Sequence, residues 1–297
     1  MPEDIRRAAN LTTELNDIQF KVLYTIAKLM NRYDSIPPET VRTLSDLSEA
    51  QTLDALKSLV RYEAVVKRNT GYGMLMLGLD TLALHDLAKK GMLSDIGPAI
   101  GVGKESDVYE CLDMNKNPLA LKVFRLGRIS FRALKKRRDY AGMQGHKWLL
   151  SCIIASEKED RILKMLEKHK LPIPSVRGRA FHTLLMDMEL GIPLYKVKKL
   201  DDAYDVLASL LQFMRDAYNR AGVVNGDLSE FNVLITPQHK IIVIDWPQAI
   251  MKDSPIALPY LMQDIDHILS FFRKKYDAKV DKEVAVNYVL AKSSKLF

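Results

Sequence analysis

The chain has 297 residues, 47% of them hydrophobic and 27% charged, with a formal net charge of +7. This is the balance of an ordinary globular protein of about two domains and not of a disordered or fibrous chain. No apolar run reaches the ~20 residues that span a bilayer, the N-terminus lacks the apolar core of a signal peptide, and Cys111 and Cys152 offer neither a disulfide framework nor metal-ligand spacing; a reducing, cytoplasmic setting with no membrane contact is the expectation.

The first 92 residues read mostly as helix. Ile18, Val22, Ile26 and Leu29 share one helical face, and "SIPPE" at 35–39 ends that segment and opens another. Ser48 and Gln51 have the spacing of a capping box, followed by a stripe of Leu53, Leu56 and Val60. The stretch 64–79 predicts two short strands around a Gly-rich turn, and a further helix is expected at about 80–91. Helices followed by a hairpin suggest a winged helix. Its third helix carries Glu49 and Asp54 against Lys57 and Arg61, so a packing or protein-docking role fits at least as well as DNA reading; Lys67 and Arg68 on the wing are the one hint of phosphate contact.

The remainder is different in charge and in pattern. Residues 1–95 hold 12 Lys/Arg against 13 Asp/Glu, while the other 202 residues hold 32 against 24, so an anionic partner is to be sought in the second part. Strands are predicted at 101–113 and 118–124, a helix at about 155–169, a strand at 181–188 and a long helix at about 202–221 closed by Gly222. A polar island, "NGDLSEFN" at 225–232, then lies between the apolar stretches 223–224 and 233–235, before the strand "KIIVIDW" and a helix at about 259–276. Strands first and helices later predict an α+β fold: a winged helix at 1–92, then a two-lobed domain at 93–297 with lobes of about 93–188 and 189–297.

Several residues in this part have chemical potential. Gly101 and Gly103 are spaced G-x-G before a strand, not a helix, which fits a hairpin whose backbone approaches phosphate oxygens, with Ser106 as an added hydroxyl donor. Lys122 sits in the apolar strand "LALKVF": by itself it reads as a lysine pointing to solvent from a half-exposed strand, whereas a buried ammonium there demands a counter-charge or a bound anion. Glu159, on the inward side of its helix with Ile162 and Leu166, is preferred over Glu157 as that counter-charge. Asp227 and Asn232 lie five apart, and Asp245 ends an apolar strand thirteen residues later. One base-like carboxylate, one amide ligand and one metal-binding carboxylate are what phosphoryl transfer with Mg²⁺ (or Mn²⁺) requires.

In this order the set resembles the protein-kinase signature. Gly226 stands where Arg is usual before the aspartate, "DWP" replaces D-F-G and no A-P-E follows. "GVGKESDVY", "LKVFRLGRISFR", "KRRDY", "GDLSEFN" and "IDWPQA" resemble the RIO atypical kinases, and the leading winged helix points to the second RIO subfamily. The resemblance implies that Gly101, Gly103, Lys104 and Ser106 cover the triphosphate of ATP and that Lys122 pairs with phosphate and with Glu159. It implies a hinge at Met188, Glu189 and Leu190 that meets adenine, a catalytic Asp227, and metal ligands Asn232 and Asp245. Asp245 is also implied as a transient phosphate acceptor. Asn225 stands where the family usually has His.

The family's association with late maturation of the small ribosomal subunit makes pre-ribosomal RNA and ribosomal proteins the expected partners. From Arg125 to Arg138 there are seven Lys/Arg and no acidic residue, with Phe131 and Tyr140 as stacking surfaces and Ser130 as a candidate phosphorylation site; RNA contact through 125–138 is the expectation, against an inert solvated loop. With 52 residues after Asp245, too little chain remains for an activation segment and a peptide-docking subdomain together, so ATP hydrolysis or autophosphorylation is expected to exceed peptide phosphorylation. The competing classes are a small-molecule phosphotransferase of the aminoglycoside or choline type, and a nucleotide-gated assembly factor with negligible turnover.

Overall fold

The structure, a computed structural model, describes residues 3–126 and 147–296. It divides into two compact units, Met1–Glu157 with Arg177–Met186, and Lys158–Val176 with Asp187–Phe297.

The first unit opens with helices α1 (Glu3–Glu14), α2 (Asp17–Leu29), α3 (Pro38–Ser45) and α4 (Glu49–Arg61). Helix α1 was not among the expected elements, although Ile5, Ala8 and Leu11 mark its buried side. The expected capping box is formed: Gln51 N–H donates to Ser48 Oγ at 3.3 Å, and Ser48 N–H to Gln51 Oε1 at 3.0 Å. Asn16 and Gln19 form a second one at the start of α2. Each box satisfies two backbone donors that a helix start leaves open. The face of α4 turned inward is Thr52, Ala55, Leu56 and Leu59, one step round from the expected stripe.

The wing is β1 (Val65–Arg68) paired antiparallel with β2 (Gly71–Met74). The second strand ends at Met74, not near 79, and helix α5 (Met76–Lys89) begins at once. The apolar run "MLMLGL" fits strand and helix equally, because α5 is buried nearly all round and shows no amphipathic period.

A five-stranded sheet follows in the order β3-β4-β5-β7-β6, from β3 (Asp95–Val102), β4 (Ser106–Leu112), β5 (Pro118–Phe124), β6 (Val176–Ala180) and β7 (Thr183–Asp187). Helix α6 (Lys147–Lys168) precedes β6 in the chain and starts well before the predicted 155. The sequence-based division at 92/93 does not separate two cores. Ile26, Leu56, Leu79 and Leu87 of the helical part lie in one continuous core with Tyr109, Leu121 and Val123 of the sheet. Segment 158–176, expected in the first lobe, belongs to the second unit.

That second unit contains β8 (Ile192–Pro193), α7 (Ala203–Asp216), β9 (Val223–Val224), β10 (Val233–Ile235), β11 (Ile241–Val243), β12 (Ile250–Met251), α8 (Ala257–Tyr276) and α9 (Lys282–Val289). Strands pair as β11-β10-β8 and as β12-β9. Helix α7 runs into a π-helical turn over Ala217–Ala221 and stops at Gly222, whose φ of 69° lies in the left-handed region. No helix among the described residues is long and apolar enough to cross a membrane.

Leu79 is fully buried in the shared core of the first unit. Leu79→Ala is expected to destabilise that unit by about 2–5 kcal/mol, the usual cost of truncating a core leucine. The chain's two tryptophans report the units separately, since Trp148 packs on this core and Trp246 is buried in the second unit. In a Trp246→Phe background, the urea midpoint followed by Trp148 fluorescence should fall clearly. A shift confined to α5, with the sheet amides keeping their exchange protection, would contradict a shared core.

Candidate active site

In the first unit the candidate nucleotide residues line up across the sheet. Gly101 pairs with Val108, and Val108 with Lys122 on the next strand. Lys122 is 4% exposed, so it does not project to solvent, and its Nζ lies 5.1 Å from the centre of the Phe124 ring. The turn 102–105, including Gly103 and Lys104, is exposed, and Ser106 is half-buried. Gly103 N–H donates to Ser106 O at 2.8 Å and closes the turn. A Cβ at Gly103 would stand 3.0 Å from that same oxygen, whereas one at Gly101 would meet only the Val108 side chain at ordinary distance.

Arg125 departs from the expected RNA-contacting segment. It is 5% exposed and bonded to the buried Asp80 of α5, Nη1 to Oδ1 at 2.7 Å, so it is a core residue and no part of a basic surface. The rest of that segment, with Ser130, Phe131 and Tyr140, lies outside the described residues.

In the second unit the polar island is sorted by its surroundings. Asn225, Gly226, Leu228 and Asn232 are buried, while Asp227 and Asp245 are exposed. Three devices produce that result. Asp264, on the apolar face of α8 with Leu261, Ile265 and Ile268, accepts from Gly226 N–H at 2.8 Å and Leu228 N–H at 2.9 Å. Gly226 has φ 83°, and a Cβ there would stand 3.0 Å from Gln248 O. The arginine usual in kinases has no place at this backbone. Asn225 Oδ1 accepts from Asp227 N–H at 3.2 Å while its Nδ2 donates to Asp245 O at 3.1 Å. One amide thus ties the two exposed aspartates' backbones together, which is what stands in place of the family histidine.

Asn232 and Asp245 are brought together by strand pairing. Val233 faces Val243, and Ile244 N–H donates to Asn232 O at 2.8 Å, which sets Asp245 one residue beyond Asn232's partner. Asp245 has φ 69°, an uncommon conformation for a residue with a side chain. Asn232 Oδ1 accepts from Ser229 Oγ at 2.9 Å, which fixes the amide. Glu159, buried on α6, accepts from Trp246 N–H at 3.2 Å through Oε1, and neighbouring Lys158 donates to Pro247 O at 2.9 Å, so this end of α6 holds the "DWP" segment. Glu157 is solvent-exposed and paired with Arg179. Met188, Glu189 and Leu190 follow β7 without regular structure; burial, and then Asp187, push the Glu189 carboxyl above its ordinary pKa.

Asp227, Asn232 and Asp245 line one open cavity of about 920 Å³, together with Ser229, Phe231 and residues of α8. Among the described residues no three His, Cys, Asp or Glu side chains converge as a metal cage. A carboxylate and an amide are instead the hard oxygen donors that Mg²⁺ accepts when nucleotide phosphates and water fill its other positions, so the residues present fit that ion.

The sequence pattern does not single out two residues that hold the loop. Asp264 has a signal, a lone carboxylate on the apolar stripe of a predicted helix. Asn225 shows only as a departure from its family, because its two-sided bond depends on residues twenty apart.

The RIO domain model matches residues 107–285, and the model of the Rio2 N-terminal domain matches residues 12–90. The chain is 32% identical over 280 residues to serine/threonine-protein kinase RIO2 of Caenorhabditis elegans, covering 92% of this chain and 52% of that one. It is 32% identical to RIO-type serine/threonine-protein kinase Rio2 of Methanocaldococcus jannaschii, covering 88% of this chain and 99% of the relative. The crystal structure of a Rio2 kinase–ADP/Mg²⁺–phosphoaspartate complex from Chaetomium thermophilum matches with a TM-score of 0.81 at 25% identity, covering 96% of this chain and 89% of that one. The chain belongs to the RIO family of atypical protein kinases, in its Rio2 branch, as a winged helix followed by a RIO kinase domain. It spans about half the length of the nematode relative.

Burial pushes the Asp264 carboxyl up to about 6, against the opposing hydrogen bonds from Gly226 and Leu228. A carboxyl that is harder to ionise in the folded state than in the unfolded one costs stability once ionised. That cost is complete above about pH 6 and is relieved as pH falls toward 4. Relative to Asp264→Asn, which has no charge to bury, the wild type should therefore gain about 2 kcal/mol between pH 7 and pH 4. Parallel urea titrations of the two proteins read this difference directly; a difference independent of pH would contradict the assignment.

Proposed function

We propose that this chain is an ATP- and Mg²⁺-dependent atypical serine/threonine kinase and ATPase. It acts in the cytoplasm in maturation of the small ribosomal subunit, and its own residues or water, more than free peptides, receive the phosphate. The observation that carries this reading is the opening of Asp227, Asn232 and Asp245 onto one cavity, while the backbone around them is buried and tied down.

The roles carried over from the family are these. Gly101, Gly103, Lys104 and Ser106 cover the triphosphate, Lys122 neutralises part of its charge, and the extended segment Met188–Leu190 offers backbone groups to adenine. Asn232 and Asp245 hold Mg²⁺, which supplies Lewis-acid neutralisation of phosphate charge when bound. Asp227 takes the proton of the attacking hydroxyl as its oxygen bonds the γ-phosphorus and the bond to the ADP oxygen breaks. Asp245 would also act as acceptor: its carboxylate oxygen would bond the γ-phosphorus with ADP leaving, and water would later release phosphate. The Chaetomium thermophilum relative crystallised as an ADP/Mg²⁺–phosphoaspartate complex supports this second route.

The segment after Asp245 bears on the choice of acceptor. Only residues 246–256 separate it from α8, and they are already engaged, with β12 paired to β9 and Ala249 N–H bonded to Trp246 O. A short, engaged segment offers little on which to hold a peptide in line with the γ-phosphate, and positioning is most of the rate in this chemistry. The ribosomal partner is supported by the excess of basic residues after position 95, including Arg132, Lys135, Lys136, Arg137 and Arg138.

Asp227→Asn should lower single-turnover phosphoryl transfer by about 10²–10⁴-fold, the usual worth of a general base, and leave ATP affinity nearly unchanged. Labelled ATP, with and without pre-ribosomal particles, measures both. Wild-type turnover in the variant would overturn the assignment of the loop, and efficient, saturable phosphorylation of short Ser/Thr peptides would overturn the acceptor preference.

A further inference from the structure

The first unit contains a buried charge network that none of the roles above uses. Asp80 of α5 and His182, in the turn between β6 and β7, are fully buried; Arg125, just past β5, is 5% exposed. Asp80 Oδ1 accepts from Arg125 Nη1 at 2.7 Å and from His182 Nε2 at 2.8 Å. Burial alone would raise the Asp80 carboxyl, but the charge of Arg125 and the bond from His182 outweigh it and hold Asp80 ionised, below the usual carboxylate range. Burial also pushes His182 below its ordinary value, so it serves as a neutral donor.

The other side of Arg125 faces the candidate phosphate turn. Its backbone N–H donates to Glu105 O at 2.6 Å, and its Nε lies 3.7 Å from Oδ2 of the buried Asp107. Those two contacts bracket Ser106. The turn between, 102–105, is exposed and has little packing of its own to define where it sits. Arg125 is therefore both the anchor of that turn and the ion-pair partner of the winged helix. A buried ion pair adds little stability over apolar residues of the same volume, but loss of one partner leaves the other charge buried and uncompensated, so each restrains where the other can sit.

We propose that the winged helix is a working part of the nucleotide site: Asp80, acting through Arg125, sets the position of the phosphate-covering turn at Gly103–Asp107. Asp80 and Arg125 are positioning residues, and the proposal rests on the reading of 101–106 as the phosphate loop. Taking the charge from Asp80 leaves Asp107 as the carboxylate beside Arg125, so the guanidinium shifts to the loop side and carries Glu105 with it.

Two variants of the full chain test this. Asp80→Asn keeps the shape and removes the charge. The triple variant Asp80→Leu, Arg125→Met, His182→Leu replaces the network by apolar side chains and keeps the shared core filled, so it remains informative if the single variant unfolds. Hydrogen exchange without nucleotide is read at the Gly103 and Arg125 amides, and KM and kcat for ATP are read separately. The expected result in both variants is exchange at these two amides faster by about tenfold, about the worth of one charge-assisted hydrogen bond, with core amides of α5 unchanged. KM for ATP should rise by about the same factor with a smaller change in kcat. Wild-type exchange at both amides in a folded variant would overturn the proposal and reduce the network to a structural staple. Absence of ATP turnover in the wild type would instead remove the phosphate-loop reading, which the nucleotide-free exchange data keep distinct from the coupling.

Discussion

The two hydrogen bonds that Asp264 accepts from Gly226 and Leu228 are the constraint on which the second unit's chemistry depends. A loop with two backbone donors turned inward must satisfy them or lose about 1–3 kcal/mol for each. Asp264 does so from a helix, and the loop therefore cannot collapse onto the core. Asp227 lies between the two anchored residues and has no course but outward. The left-handed backbone at Gly226 and the Asn225 bridge to Asp245 O then fix the direction in which it emerges. Buried groups thus position exposed ones, the arrangement expected of a preorganised catalytic loop.

The first unit solves a related problem by other means. Its candidate phosphate turn is exposed and its lysine is buried in a strand, so neither can be located by packing at the turn itself. Strand register ties Gly101, Val108 and Lys122 into one row, and Arg125 ties the turn's far end to α5. The ion pair of Asp80 and Arg125, at 0% and 6% side-chain exposure, joins the helical N-terminal part to the sheet, and removing either partner alone would leave a buried charge uncompensated.

Much of this was legible in the sequence because it depends on local pattern. The capping box at Ser48, the stop at Gly222, and the spacing of Asp227, Asn232 and Asp245 are short-range signals, and the structure contains each of them. What was not legible depends on pairs distant along the chain. Arg125 read as the first member of a basic run, since nothing local shows that Asp80, 45 residues earlier, awaits it in the core. The end of β2 was misplaced because "MLMLGL" runs from the last residue of β2 into a helix buried nearly all round, which has no period to read. Asn225 shows in the sequence only as a replacement for the family's histidine, because its bonds to Asp227 N–H and Asp245 O depend on the fold.

The central claim is that Asn232 and Asp245 form, with nucleotide, a single divalent-ion site opening on the same cavity as Asp227. Mn²⁺ binding followed by electron paramagnetic resonance tests it most directly, on wild type and on Asp245→Asn, with and without ADP. The account predicts one tightly bound Mn²⁺ per chain that requires ADP and is lost in the variant, because the protein supplies only part of the coordination shell. Tight Mn²⁺ binding without nucleotide, or undiminished binding in Asp245→Asn, would contradict it.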